Sequence, residues 1–340
     1  MKLWPHMKTK GIALVGVAVF VFFNVPLPFL FGPLFACLAA ALMGVHLTAI
    51  APLNDAMRTI LGVAVGTTIT VAFVHTLIGL WATLLLIPLM VVLIGLIGVP
   101  YFQRLWGYDW ATSYYAAMPG GLQDMLIFGE EAGGNVRAMS LIHATRVLVI
   151  VFALPFLLQF IWGSDLSNPP GQAASTLPIS QIIIMAICGL LGWQIAKKLG
   201  MFGASILGPL ILTAVVTLFG ILEHRPPAEA VWMAQFFIGV SVGVKYTGIT
   251  GTEIRRDVLA GISFCAILIV LTLLFVGFVQ ALGLAPALET ILALAPGGQA
   301  ELVVLALIVG ADMTFVVAHH LLRIFVVIIG APLFARLFKD

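Results

Sequence analysis

Ala117-Met118-Pro119-Gly120-Gly121-Leu122-Gln123-Asp124 and Leu294-Ala295-Pro296-Gly297-Gly298-Gln299-Ala300-Glu301 are two versions of one phrase, 177 positions apart. Proline removes a backbone donor and glycine permits unusual backbone angles. Pro-Gly-Gly inside an apolar run therefore predicts a broken helix. Other features return at the same offset: His143-Ala144-Thr145-Arg146 as His320-Leu321-Leu322-Arg323, Pro155 as Pro332, and Gly62 and Gly66 as Gly239 and Gly243. Gly32-Pro33-Leu34 returns as Gly208-Pro209-Leu210 at 176. An offset held across separate features marks an internal duplication.

Composition sets the class. Hydrophobic residues are 62% of the chain, charged residues 9%, and the mean hydropathy is +1.17. A soluble domain carries roughly 25% charged residues, so this chain cannot cover a water-facing surface. Its apolar stretches suffice for about ten spans of roughly 20 residues. The expected fold is all-α and polytopic. Two repeats occupy 1–163 and 178–340, joined by a polar linker at 164–177 that contains Asn168-Pro169-Pro170-Gly171. The basic, then apolar, N-terminus resembles a signal peptide. The second repeat has an apolar segment in the corresponding place, so the first is read as part of the fold. Cys37, Cys188 and Cys265 show no ligand spacing and read as small apolar packing residues. No metal or cofactor is expected.

Lys and Arg placement gives a topology. If 111–131 and 287–310 dip into the membrane and return, each repeat has five crossings. With a cytoplasmic N-terminus, 13 of the 16 Lys and Arg become cytoplasmic. Arg225 alone lies outside, and Arg146 and Arg323 fall within spans. If the two segments cross instead, Arg137 moves outside while the linker, which has no Lys or Arg, moves inside. The dipping arrangement makes an inverted repeat with both termini cytoplasmic and the linker periplasmic.

The polar residues inside the apolar runs are the candidate site. Each dipping arm is about ten residues, or roughly 15 Å as helix, about half the hydrocarbon thickness. A second arm starting at Gly121 or Gly298 would point free N–H groups and a positive dipole end at mid-membrane, favouring an anion. A Pro-kinked crossing helix is the structural alternative. Asp124 and Glu301 sit one turn into that arm. A carboxylate there needs Na+, a proton, a helix cap or an arginine. His143 and Arg146 share one helix face, as do His320 and Arg323. They could bind an anionic solute, or bridge to Asp124 and Glu301 respectively. The candidate binding set is Pro119, Gly120, Gly121, Gln123, Asp124, His143, Arg146, Pro296, Gly297, Gly298, Gln299, Glu301, His320 and Arg323. His319 has no counterpart and reads as a packed core histidine. The Gly-x-x-x-Gly pairs predict close helix contact.

The doubled Pro-Gly-Gly-x-x-(Asp/Glu) followed by His-x-x-Arg, with the Gly-Pro-Leu pair and the Pro-Pro linker, resembles the bacterial AbrB-duplication membrane family over about 10–340. Members of that family carry labels of ammonia monooxygenase, regulator or transporter. The resemblance implies a multi-pass bacterial inner-membrane protein, with an effect on gene expression among its expected roles. The residues do not fit two of those labels literally. No soluble module or basic cluster is present to grip DNA, and no redox-metal ligand set stands out for an oxygenase. The expected partners are the bilayer and a small solute, with Na+ or H+ as candidate coupling ions and a homo-oligomer left open. No direct nucleic-acid contact and no enzymatic reaction are expected. Secondary transport of a small polar or anionic solute leads; a membrane-embedded sensor acting without transport is the alternative. Gln299 and Ala300 stand opposite Leu122 and Gln123, so the two tips should not be chemically equivalent.

Overall fold

The computed structural model describes residues 4–164, 166, 169–201 and 203–337. Asn168 of the linker, with Lys2 and Lys339 of the topology argument, lies outside the described residues, as does the side chain of Gln123. Among the described residues every regular element is helical and no strand forms. A segment in hydrocarbon must satisfy its own backbone, which a helix does. Among the described residues, five helices are long and apolar enough to cross a membrane: Trp81–Trp106, Val136–Trp162, Ile179–Lys198, Gly251–Ala281 and Met313–Ala335. Pro52–Gly66 and Val71–Leu77 make a sixth if that pair, bent by 70°, is one span. Pro28–Leu42 and Ala204–Leu218 have 15 residues each. That is about 23 Å of helix, short of a roughly 30 Å core. Sequence hydropathy alone does not separate these shorter helices from full spans.

The chain forms two compact units, and each takes elements from both sequence repeats. The first unit comprises 1–75, 163–249 and 307–310. Glycine sets its packing. A Cβ on Gly16 would overlap the carbonyl of Gly32, and one on Gly208 would overlap that of Gly192, so the first two helices of each repeat touch backbone to backbone. The third helices exchange partners. Gly62 and Gly66 lie against the carbonyls of Ile206 and Leu210, while Gly239 and Gly243 lie against those of Leu30 and Leu34. The two Gly-x-x-x-Gly pairs are therefore close helix contacts, each made to the opposite repeat. Around the linker, Ala228 N–H donates to Gln172 O at 2.9 Å and Ala174 N–H to Glu229 Oε2 at 3.0 Å. Leu177 is buried with Val63, Met185 and Leu222.

The second unit comprises 76–162, 250–306 and 311–340. Its core includes Phe102, Met125, Met139, Ile142, Phe264, Leu268 and Val327, all at most 1% exposed. Gly98 lets its helix approach closely, since an added Cβ would lie 2.6 Å from that of Ala117. Cys265 is buried and unpaired here; Cys37 and Cys188 are so in the first unit. At one end of the second unit, Arg137 pairs with Glu253 at 2.7 Å. Arg256 donates to the carbonyls of Trp106 and Gly107 at 3.2 and 3.1 Å and lies over the Tyr108 ring. The Tyr108 hydroxyl donates to Asp257 at 2.5 Å. Burial, then the hydrogen bond to Asp257, pushes the Tyr108 phenol up, so it stays a donor.

The two long helices that carry His-x-x-Arg begin alike. Asn135 Oδ1 accepts from Ala138 N–H at 3.0 Å, and Asp312 Oδ1 from Thr314 N–H at 2.8 Å. Each side chain satisfies a backbone donor that the first turn leaves without a partner. Asn135→Ala should cost about 1 kcal/mol, read as a lowered unfolding midpoint of the detergent-solubilised chain.

Candidate functional site

Both Pro-Gly-Gly segments and both His-x-x-Arg helices belong to the second unit. The first segment is a helix, a break and a helix: Trp110–Ala117, then 118–121, then Leu122–Glu131. Asp109 caps the first arm, its carboxylate accepting from Thr112 N–H at 2.8 Å. Asn135 N–H donates to Thr112 Oγ1 at 2.8 Å, so the residue that caps the next helix lies beside the first turn of the first arm. The second segment repeats the plan with Ala287–Leu294 and Gln299–Ile308. Pro119 and Pro296 are buried at the breaks.

A broken helix leaves carbonyls at the end of its first arm without helical partners. His-x-x-Arg supplies them. His143 Nε2 donates to Tyr115 O at 2.9 Å and Arg146 Nη1 to Met118 O at 2.9 Å. His320 Nε2 donates to Leu292 O at 3.0 Å and Arg323 Nη1 to Ala295 O at 2.7 Å. All four bonds span 28 residues. A carbonyl can only accept, so each imidazole carries its proton on Nε2. Among the described residues, His143 Nδ1, His320 Nδ1 and Arg146 Nε have no partner. The guanidiniums also sit at the negative dipole end of the first arm, where a cation is favoured.

The acids behave differently from the bridging alternative. A Cβ on Gly121 would lie 2.5 Å from Asp124 Oδ2, and one on Gly298 would overlap the Glu301 carboxylate. Each carboxylate is folded back over the glycine that opens its own helix, where the dipole favours an anion. Among the described residues Arg146 and Arg323 reach no carboxylate; their hydrogen bonds go to carbonyls. Among the described residues, the hydrogen bonds of these arginines do not form the Asp124–Arg146 and Glu301–Arg323 bridges. Seated at a helix break, each charge already has an oppositely signed dipole end nearby.

The tips interleave. A Cβ on Gly120 would lie 2.9 Å from Val327, one turn beyond Arg323, and one on Gly297 would lie 3.0 Å from Ile150, one turn beyond Arg146. Each tip therefore touches the arginine helix of the other repeat. Arg146 and Arg323 are 3% and 4% exposed, and the tip contacts bring their two helices to the same pair of helix breaks. An arginine at mid-helix costs roughly 2.5–3.5 kcal/mol to insert, and here two come together.

The tips differ as their sequences do. Arg146 Nη2 also donates to Gly120 O at 3.3 Å. At the second tip Gln299 Nε2 donates to His320 O at 2.9 Å, where the first tip has Leu122. Gln299→Leu should cost about 1 kcal/mol of stability, measured by thermal unfolding. His319 is fully buried, with Nδ1 on Phe315 O and its ring against Phe315. Sequence reasoning did not identify the Tyr115, Met118, Leu292 and Ala295 carbonyls, since backbone acceptors have no residue signature. Asn135 and Asp312 could have been found, because they keep the 177 offset.

Comparison with known proteins finds sequence relatives. YhjN of Bacillus subtilis (strain 168) is 27% identical over 293 residues, covering 82% of this chain and 76% of the relative. A protein of Escherichia coli (strain K12) named as a candidate regulator, AbrB, is 22% identical over 319 residues, covering 93% and 91%. No solved structure matches the chain. The family model described as transition state regulatory protein AbrB matches residues 29–339, both tips and both arginine helices included, and the chain belongs to that family.

Proposed function

We propose that the protein is a secondary transporter that moves a small polar or anionic solute across a bacterial inner membrane. Its site would lie at the paired Pro-Gly-Gly tips, where the two repeats meet within the second unit. The observation that carries this reading is the double helix break held open by buried arginines. Broken helices whose ends face a mid-membrane site suit a transported ion or solute. The tips read as dips that return to the side they left. In support, Asn135 bonds Thr112, Arg137 pairs with Glu253, and Arg256 holds the Trp106 and Gly107 carbonyls, which gathers Arg104, Arg137, Arg255 and Arg256 towards one side. The linker's bond to Ala228 keeps it beside Arg225, as the charge distribution requires. If the bent pair and the shorter apolar helices, Pro28–Leu42, Ala204–Leu218 and Ala228–Val244, cross along with the longer ones, each repeat has five crossings, and the repeats are inverted with both termini cytoplasmic.

The family description and the Escherichia coli relative's name favour a second reading, a membrane-embedded sensor that affects expression without transport. Purified protein in sealed vesicles separates the two. Transport predicts saturable uptake of a radiolabelled solute above that of empty vesicles. Binding without any flux, across small carboxylates, amino acids and inorganic ions with and without Na+, would select the sensor. Cysteine labelling tests the topology: position 168 should react from the periplasmic side and position 339 from the cytoplasmic side.

A further inference from the structure

We infer that Arg146 and Arg323 together form one site for one small oxyanion, shared between the two repeats, rather than two separate sites at the two tips. The inference deepens the transport reading and rests on it only for what happens to the anion after it binds.

Convergence is the first support. The Gly120 tip packs one turn from Arg323, and the Gly297 tip one turn from Arg146. Each arginine helix thus serves its own tip through a hydrogen bond and the other tip through packing. A ligand between the tips would meet both guanidiniums. Charge is the second support. Both groups are almost fully buried, and among the described residues neither reaches a carboxylate. The carbonyls of Met118, Gly120 and Ala295 are neutral, and a helix dipole end supplies only about half a unit of opposite charge. Two buried like charges at one pair of helix breaks call for a counter-ion. Unused donor capacity is the third. Arg146 Nε has no partner among the described residues, although Nη1 and Nη2 are engaged. A guanidinium has five N–H donors in a planar fork, which lets it hold a carbonyl on one edge and an oxyanion on another.

The chemistry favours planar or tetrahedral oxygen anions: carboxylate, sulfate or phosphate. Bidentate geometry matches these, and a buried guanidinium is less strongly hydrated than an ammonium. A Na+ ion is repelled at this position, although the carboxylates of Asp124 and Glu301 lie at the same tips.

The test uses the full chain in detergent. Thermal unfolding is titrated with sodium sulfate, sodium phosphate or sodium succinate at constant ionic strength, and native mass spectrometry counts bound anions. At least one probe should raise the unfolding midpoint saturably, with one anion per chain. Arg146→Lys and Arg323→Lys keep the charge but lose the fork, and each should weaken that binding tenfold or more. No saturable effect from any of the three probes overturns the inference. Two bound anions per chain do so as well, as does unchanged affinity in a folded Lys variant. If the Lys variants do not fold, the wild-type stoichiometry still decides. Anion binding without flux leaves this inference standing and removes the transport reading. Flux of a neutral or cationic solute with no anion binding does the reverse.

Discussion

Arg146→Gln is expected to lower the stability of the protein by about 3 kcal/mol, from the loss of two hydrogen bonds made by a charged donor. The carbonyls of Met118 and Gly120 lose the partners they now have. Arg323→Gln breaks one such bond, to Ala295, and should cost about half as much. The measurement is unfolding in mixed detergent, followed by helical signal. The geometry also fixes what a second substitution does. If Arg146 and Asp124 neutralised each other, Asp124→Asn would rescue Arg146→Gln. The carboxylate is instead folded over Gly121, so Asp124→Asn should not rescue Arg146→Gln. Rescue would show that the guanidinium and the acid meet.

Gly16→Leu should have an effect of at least comparable size, by another route. Overpacking a filled interior costs typically about 1–3 kcal/mol when side chains can shift. Here the added carbon would overlap the backbone of Gly32, which cannot move without parting two helices. A loss of more than about 3 kcal/mol is expected. It should be seen as failure to recover monodisperse protein from the membrane. Gly277 is the control. It lies inside Leu259–Ala281 and an added Cβ meets nothing within 4 Å. Gly277→Ala should be neutral or stabilising by up to about 1 kcal/mol. Equal damage at both positions would mean that the Gly16 helix contact is not what holds the first unit together.

The helical, membrane-embedded class was legible because it needs only composition. The duplication was legible because Pro-Gly-Gly and His-x-x-Arg keep one offset. The exchange of partners was not. Gly62 and Gly239 announce a close contact, but nothing in either motif says that the facing helix, at Ile206 or Leu30, belongs to the other repeat. Contact partners are a property of the packing and lie far apart in the chain. The site was half legible. Histidine and arginine on one helix face pointed to a shared task, and sequence reasoning left two candidates, a solute or a nearby acid. The acceptors are backbone carbonyls exposed by the helix break itself, which no side chain marks. For the acids, sequence reasoning left an ion, a proton, a helix cap or an arginine, and each carboxylate lies at the positive helix end within its own turn. The different behaviour of the two tips was legible from Gln299 facing Leu122, and the Gln299 bond to the His320 carbonyl gives it a physical form.

The central claim is that the buried arginines hold the helix breaks and do not neutralise the neighbouring acids. Solid-state NMR in lipid tests it most directly, with nitrogen-15 in the arginine guanidiniums and carbon-13 in the methionine carbonyls or the aspartate carboxylates. The account predicts a strong dipolar coupling between Arg146 and the carbonyl of Met118, whose hydrogen bond is 2.9 Å long, lost in Arg146→Gln. A strong coupling from Arg146 to the Asp124 carboxylate, with none to Met118, would contradict it.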